Sequence, residues 1–189
     1  MPSSAKEDLA GLLRDRNVVS TDLSSPVNLD PIWADPRGFR LAADVVLDFL
    51  QQLKQEWHFD TIVAPVTISP SLGVLPIAAA ACYRADIPLI VWISHGAPLS
   101  GGAATFPTGH PAPKSPILID GVLARGRGIS FCMLDLIKGK EFDMQGIACI
   151  IDCELDGEKY VNDTVSRKID RPLKFRTLFR KGDILRWSK

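Results

Sequence analysis

The chain has 189 residues, of which 46% are hydrophobic and 23% are charged, so it is long enough to bury one sizeable core but short for two domains. Its 22 Lys and Arg residues balance its 22 Asp and Glu residues. Because a neutral chain exerts no long-range attraction on nucleic acid or on an anionic membrane surface, we expect no partner of either kind. A small ligand or a protein is the expected partner instead.

The N-terminus and the cysteines indicate a cytoplasmic protein. Charged residues interrupt the first apolar stretch, which is unlike a signal peptide, and the chain contains no apolar run long enough to span a membrane. Its four cysteines form no CxxC pair and have no histidine at zinc-finger spacing. We therefore predict that Cys82, Cys132, Cys149 and Cys153 are reduced and packed in the core.

The first predicted elements are helical, with an irregular segment between them. Leucines at helical spacing predict a short amphipathic helix over residues 4–16. Residues 17–33 mix β-branched residues with Ser, Asp and Pro, and we interpret them as an irregular strand pair or a hood segment. From Asp35 to Trp57, apolar residues recur every three or four positions after a helix-starting Asp-Pro pair, which predicts a long helix.

A strand, a helix and a second strand follow. Residues 61–64 form a short apolar run before Pro65, which is typical of a buried parallel strand. The small residues of segment 74–86 predict a helix packed closely on a sheet, and residues 87–93 predict a second buried strand. This order is the βαβ unit, whose right-handed crossover makes the two strands parallel.

A long segment dense in Gly, Pro, Ser and Thr, residues 94–116, is predicted to be a loop with the character of a functional lid. Residues 116–122 then predict a third buried strand that ends in Asp120. After this strand come a glycine-rich turn and a helix over 131–138.

The last two predicted strands complete the pattern. Residues 147–154 predict a fourth buried strand, and residues 174–185 predict a short strand followed by the start of a helix. The sequence shows no internal repeat.

Residues 117–137 resemble the phosphoribosyl pyrophosphate (PRPP) motif of type I phosphoribosyltransferases. In that motif a hydrophobic strand runs into two acidic residues, a hydrophobic pair and a turn rich in Thr and Gly. Asp120 matches the first acidic position, Gly121 stands at the second, and residues 124–128 read ARGRG where threonines are usual. Such a turn directs backbone N–H groups and a helix N-terminus at a phosphate.

Other segments resemble the orotate phosphoribosyltransferases in the same order, over about residues 10–187. Residues 18–30 resemble their hood, residues 59–92 resemble their strand, pyrophosphate loop, helix and strand, and residues 174–185 resemble their last strand and helix. The resemblance implies a single-domain α/β fold with a mainly parallel central sheet flanked by helices. We divide residues 1–189 into a hood at 1–34, a mobile loop at 94–116 and the remaining body.

The resemblance also implies the site residues. Asp120 and His95 are the catalytic candidates, and Asp120 would also contact Mg²⁺ through the substrate. The phosphate-binding candidates are Arg125, Gly126, Arg127, Gly128 and Ile129. The pyrophosphate-loop candidates are Thr67, Ile68, Ser69 and Ser71.

Each of these assignments has a structural alternative. Asp120 could cap the glycine-rich turn instead of meeting a ligand. His95 could be a solvated loop residue, and the pyrophosphate-loop segment could be only a structural turn. Arg125 and Arg127 could face solvent instead of a phosphate.

The function implied is that of a divergent phosphoribosyltransferase that uses PRPP, with Mg²⁺ assisting, and an unidentified nitrogenous base. Orotate is disfavoured as the base, because Cys153 follows Asp152 where the orotate enzymes have an arginine for the orotate carboxylate. The alternatives are a non-catalytic protein that binds a nucleotide or sugar phosphate or serves as a dimerisation module, and a different reaction on a phosphorylated sugar. Family members are commonly homodimers, so a homodimer is implied.

Overall fold

The structure is a computed structural model that describes residues 3–20, 27–66, 73–94, 102–105, 112–138 and 142–186. The strands are β1 Thr61–Val66, β2 Leu89–Ser94, β3 Gly102–Thr105, β4 Pro116–Leu123, β5 Gly146–Asp152 and β6 Lys174–Arg180. The helices are α1 Ser3–Asp15, α2 Asp30–Trp33, α3 Pro36–Trp57, α4 Leu75–Ala85, α5 Arg127–Lys138, α6 Gly157–Val161, α7 Arg167–Ile169 and α8 Lys181–Arg186, with a π-helical turn at Asn162–Ser166.

The strands form one sheet in the order β3-β2-β1-β4-β5-β6. Five of them are parallel, and β3 pairs with β2 in the antiparallel direction at one edge. The predicted α/β fold with a mainly parallel sheet is confirmed. In a sheet of this kind, ligands bind beyond the carboxyl ends of the parallel strands.

Both faces of the sheet are covered. On β4, Ile117 and Ile119 pack into a cluster with α1, α3 and α4, whereas the intervening Leu118 packs into a cluster with α5 and the π-helical turn. All three side chains are fully buried. This alternation explains why the parallel strands are almost continuously apolar in the sequence.

Helix α3 begins and ends where the sequence predicts. The Asp35 carboxylate accepts a hydrogen bond from the Arg37 N–H at 3.0 Å, and a proline occupies the first turn. The helix ends at Trp57, and the next residue, His58, has a left-handed conformation with φ of 53°. The apolar side of α3 covers the sheet face that it shares with α4.

Three expectations about the elements need correction. Strand β4 does not end at Asp120 but continues to Leu123, which lies opposite Asp152 in the parallel ladder with β5. The long 94–116 segment contains the short strand β3. The described part of the 17–33 segment contains helix α2 and no strand, although the Asn28 N–H does donate to the Val18 carbonyl.

Two further observations concern the cysteines and the membrane. All four cysteines are free and buried, so the prediction that they pack in the core is confirmed. None of the described helices combines the length and the apolar composition that a membrane crossing requires.

Candidate functional site at the carboxyl edge of the sheet

The turn after β4 is the centre of the predicted site. It runs from Ala124 to Gly126, and α5 begins at the next residue. Gly126 has φ of +72°, and a Cβ there would lie 2.6 Å from both the Gly157 carbonyl oxygen and Val161 Cγ2. A side chain is therefore excluded by backbone conformation and by space, so this turn requires glycine at its third position.

The first N–H groups of α5 have no acceptor among the carbonyl groups of the helix itself. The first helical hydrogen bond runs from the Ser130 N–H to the Gly126 carbonyl at 2.9 Å, so the N–H groups of the preceding three residues have no acceptor within the helix. A Cβ built on Gly128 meets nothing within 4 Å. This opening lets an anion approach the helix end, where the helix dipole favours negative charge.

Two arginines flank this opening. Arg125 and Arg127 are exposed, and neither has an ion-pair or hydrogen-bond partner among the described residues. The first turn of α5 contains no acidic residue. Cations at a helix N-terminus are unfavourable on their own, and an anion bound at this end would offset that cost.

Ile129 contributes to the turn through its backbone alone. Its side chain is 3% exposed and packs into the core cluster beneath α5. The predicted phosphate contact of Ile129 is therefore limited to its N–H group.

Asp120 lies within β4, opposite Cys149 of β5. Burial raises the pKa of its carboxyl group to about 6, and hydrogen bonds from the Val122 and Gly121 backbone act in the opposite direction. The bond from the Val122 N–H is 3.5 Å long. The Asp120 charge also contributes to raising the thiol pKa values of Cys132 on α5 and Cys149. Asp120 follows Leu118 by two positions on β4 and therefore shares its α5 side of the sheet.

Neither a protein-family model nor a curated protein sequence matches this chain. Solved structures do match it. An orotate phosphoribosyltransferase from Aeropyrum pernix is similar with a TM-score of 0.68 and 18% identity, over 96% of this chain and 99% of that chain. The chain has the type I phosphoribosyltransferase fold.

Two further matches to this fold were solved with ligands. An orotate phosphoribosyltransferase from Mycobacterium tuberculosis in complex with PRPP gives a TM-score of 0.59 and 14% identity, over 97% of this chain and 93% of that chain. An adenine phosphoribosyltransferase from Trypanosoma brucei in complex with AMP, pyrophosphate and ribose-5-phosphate gives a TM-score of 0.64 and 15% identity, over 96% of this chain and 81% of that chain.

Within this phosphoribosyltransferase fold, the hood covers the strand at Gly121. An ideal Cβ on Gly121 would lie 2.8 Å from Leu29 Cδ1 and 3.5 Å from Val74 Cβ. The position at which the PRPP motif has its second acidic residue is therefore packed against an apolar side chain. The sequence alone shows that the second carboxylate is missing, but it does not show that Leu29 fills the space.

Several predicted residues lie outside the described part of the chain. These are His95, Thr67, Ile68, Ser69 and Ser71. Gly73, the last residue of the predicted pyrophosphate-loop segment 65–73, is described: its carbonyl accepts a 2.7 Å hydrogen bond from the Trp33 indole N–H of the hood. The hood and the start of α4 are thus joined.

An acidic cleft of about 400 Å³ adjoins the turn, at the carboxyl ends of β5 and β6. Its acidic lining residues are Asp152, Glu154, Asp156 and Glu158, and its basic ones are Lys159 and Arg180. This cleft was not predicted from the sequence, although an acidic residue at every second position from Asp152 to Glu158 is a visible signal. Two of the carboxylates are engaged locally, since Asp152 accepts from the Glu154 N–H and Glu154 accepts from the Gly182 N–H, both at 2.8 Å.

Cys153 does not take over the arginine position of the orotate enzymes as a ligand-facing group. Its side chain is 5% exposed, and its N–H donates to the Leu123 carbonyl at 2.8 Å. Burial raises the pKa of the thiol, while the Lys181 charge lowers it. A buried neutral thiol cannot pair with a carboxylate ligand.

The described residues do not fit a protein-held magnesium ion. In this part of the chain, no three His, Cys, Asp or Glu side chains come together as a metal site. Asp120 accepts hydrogen bonds from its own strand, and Gly121 supplies no side chain.

Proposed function

We propose that this chain binds a 5-phosphorylated ribose compound and acts as a divergent phosphoribosyltransferase on a base other than orotate. The observation that carries the proposal is the turn before α5: Gly126 in a left-handed conformation, an open helix N-terminus at Gly128, and two arginines without partners among the described residues. A phosphate there would accept hydrogen bonds from the N–H groups and charge-assisted bonds from the guanidinium groups.

The fold neighbours support this choice of ligand. Two proteins with the same fold were solved with PRPP in one case and with AMP, pyrophosphate and ribose-5-phosphate in the other. Nucleic-acid and membrane partners are not part of the proposal, because the sequence is neutral overall.

The proposed reaction needs positioning more than side-chain chemistry. A bond forms between C1 of the ribose and a nitrogen of the base while the bond from C1 to the diphosphate oxygen breaks. The diphosphate leaves with the electron pair, and the base nitrogen releases its proton to solvent. The turn and the helix N-terminus would hold the 5-phosphate end, so that C1 is oriented relative to the base. Magnesium enters the proposal only as an ion that arrives on the diphosphate and neutralises part of its charge.

One observation favours a second candidate function, a non-catalytic protein that binds a nucleotide or sugar phosphate. The Leu29 side chain occupies the space beside Gly121, and the Asp120 carboxylate accepts a hydrogen bond from the Val122 N–H of its own strand. Both features reduce the polar contacts available to a reacting sugar. A nucleotide complex that forms without turnover would favour this candidate.

The first experiment is calorimetric titration of ribose 5-phosphate, and of PRPP with Mg²⁺, into the wild-type protein and an Arg125→Ala/Arg127→Ala variant. We expect binding that the double variant weakens at least about tenfold, since two charge-assisted contacts are lost. Lys138→Ala, which removes a positive charge at the other end of α5, is the matched control and should leave the affinity within about twofold.

Two results would contradict the phosphate assignment. The first is no detectable binding of either ligand at millimolar concentration. The second is an equal affinity in the wild type and the double variant, which would show that the ligand binds elsewhere. Release of pyrophosphate from PRPP across a panel of bases then separates the two candidate functions.

A homodimer is also proposed. Tyr83 on α4 exposes 89% of its surface in the single chain, and Ala79, one helical turn before it, is exposed on the same side. Light scattering on a size-exclusion column measures the mass of the assembly, and Tyr83→Glu should convert a dimer to a monomer. A monomeric wild-type protein would refute the proposal.

A further inference from the structure

Leu29 fills the space beside Gly121 on β4. The 2.8 Å between an ideal Gly121 Cβ and Leu29 Cδ1 is well below the 3.5 Å that separates the same Cβ from Val74. Carbon atoms in favourable contact lie about 3.5 to 4.0 Å apart. Leu29 is 3% exposed, so a side chain added at Gly121 would have to displace a leucine that is packed in the core.

The segment that carries Leu29 is held on both sides. The Asn28 N–H donates to the Val18 carbonyl at 3.3 Å, and the Asn28 side-chain oxygen accepts from the Asp30 N–H at 3.0 Å. On the other side, the Trp33 indole donates to the Gly73 carbonyl at 2.7 Å. Leu29 is therefore held in its buried position beside Gly121 of β4.

Successive residues of β4 face opposite sides of the sheet. Asp120 lies two positions after Leu118, which packs in the cluster with α5, and so faces α5, whereas the Cβ direction of Gly121 points at the hood and the start of α4. On the hood side, β4 is therefore covered by the apolar Leu29 side chain close to the turn before α5, and the strand supplies no carboxylate on that side.

A carboxylate beside a bound pentose accepts hydrogen bonds from its hydroxyl groups, which is how acidic residues recognise ribose. Hydrocarbon cannot do this, and it leaves a desolvated hydroxyl without a partner. We propose that Leu29 is a specificity-determining residue that makes the site accept 5-phosphorylated pentoses irrespective of the 2-hydroxyl group. The inference rests on the proposed phosphate site at the turn.

The test compares ribose 5-phosphate with 2-deoxyribose 5-phosphate, each titrated calorimetrically into the wild-type protein. We expect dissociation constants within about fivefold of each other, or tighter binding of the deoxy sugar. A site built to hydrogen-bond a hydroxyl rejects the analogue that lacks it by large factors. A preference for ribose of more than about fivefold overturns this inference and leaves the phosphate site standing, whereas binding of neither sugar overturns both.

Variants test the role of Leu29 directly. Leu29→Ala/Gly121→Asp places a carboxylate in the vacated space, and we expect it to prefer ribose 5-phosphate over the deoxy sugar by about tenfold or more. An unchanged preference in this double variant would overturn the assignment to Leu29.

The shared space is also measurable without a ligand. Gly121→Asp alone should lower the melting temperature strongly, and the addition of Leu29→Ala should recover part of that loss, because neighbouring substitutions couple. Leu53→Ala, a truncation of a buried leucine on α3, is the control and should add to the loss from Gly121→Asp. Equal changes in melting temperature in the two double variants would overturn the packing of Leu29 against Gly121. If Gly121→Asp does not fold, the comparison of the two sugars in the wild-type protein still tests the proposal.

Discussion

Gly126 and Gly157 lie against each other, with 2.6 Å between an ideal Cβ on Gly126 and the Gly157 carbonyl oxygen. Gly157 is also confined by the same turn, since a Cβ on Gly157 would meet the Ala124 carbonyl oxygen and would lie 2.8 Å from Leu123 Cδ1. The turn that precedes α5 is thus shaped by the N-terminus of α6. Close approach of two backbones is possible here because both positions lack side chains.

Gly126→Ala is therefore expected to destabilise the protein by about 2 to 3 kcal/mol, since it combines a left-handed conformation with a steric conflict. Gly128→Ala is the matched control, because its Cβ meets nothing within 4 Å. The control should be neutral or stabilising by up to about 1 kcal/mol, owing to the higher helix propensity of alanine. Urea denaturation measures both, and equal losses would refute the packing of the turn.

Arg127→Ala should stabilise the ligand-free protein by about 0.3 to 1 kcal/mol, because it removes a cation from the N-terminal end of α5. Lys138→Ala at the C-terminal end should destabilise by a similar amount. Both effects should shrink at 1 M NaCl, where charges are screened. Thermal unfolding at two salt concentrations measures them, and a loss of stability in Arg127→Ala would show that the guanidinium is already paired in the free protein.

Asp120 should make stability depend on pH. Burial raises the pKa of its carboxyl from 3.8 to about 6 in the folded protein, so the folded state binds a proton more readily than the unfolded state. The resulting stabilisation is present below pH 4 and is lost as the pH rises through about 6, by on the order of 2 to 3 kcal/mol.

Asp120→Asn should remove this component, because an amide does not titrate. Urea denaturation at intervals between pH 4 and pH 8 should show a decline for the wild type that is smaller in the variant. Parallel pH profiles for the two proteins would refute the raised pKa of Asp120.

Trp33→Phe should weaken the link between the hood and α4. The variant keeps an aromatic ring but loses the 2.7 Å hydrogen bond to the Gly73 carbonyl, at a cost of about 1 kcal/mol. Hydrogen exchange should accelerate at the first amides of α4. Trp57→Phe, a buried aromatic truncation at the end of α3, should leave those amides unchanged, and equal exchange in the two variants would refute the anchoring role of Trp33.

Most of the fold follows from periodicity in the sequence. The long helix α3 and the buried strands β1, β4 and β5 were predicted because their hydrophobic patterns extend over several turns or a full strand. The short elements β3 and α2 were not predicted. Four residues carry too little pattern to be recognised, and such elements depend on tertiary contacts for their stability.

The candidate site likewise has features that the sequence predicts and features that only the structure shows. By itself, the sequence determined the position of the glycine-rich turn, the arginines within it and the absence of a second carboxylate, because these are local properties of consecutive residues. Only the tertiary structure decided that Leu29 packs beside Gly121, that Gly157 abuts Gly126, and that the carboxylates after β5 line one cleft. Such contacts join residues far apart in the chain, and they depend on how the helices and the hood pack on the sheet, which no local pattern encodes.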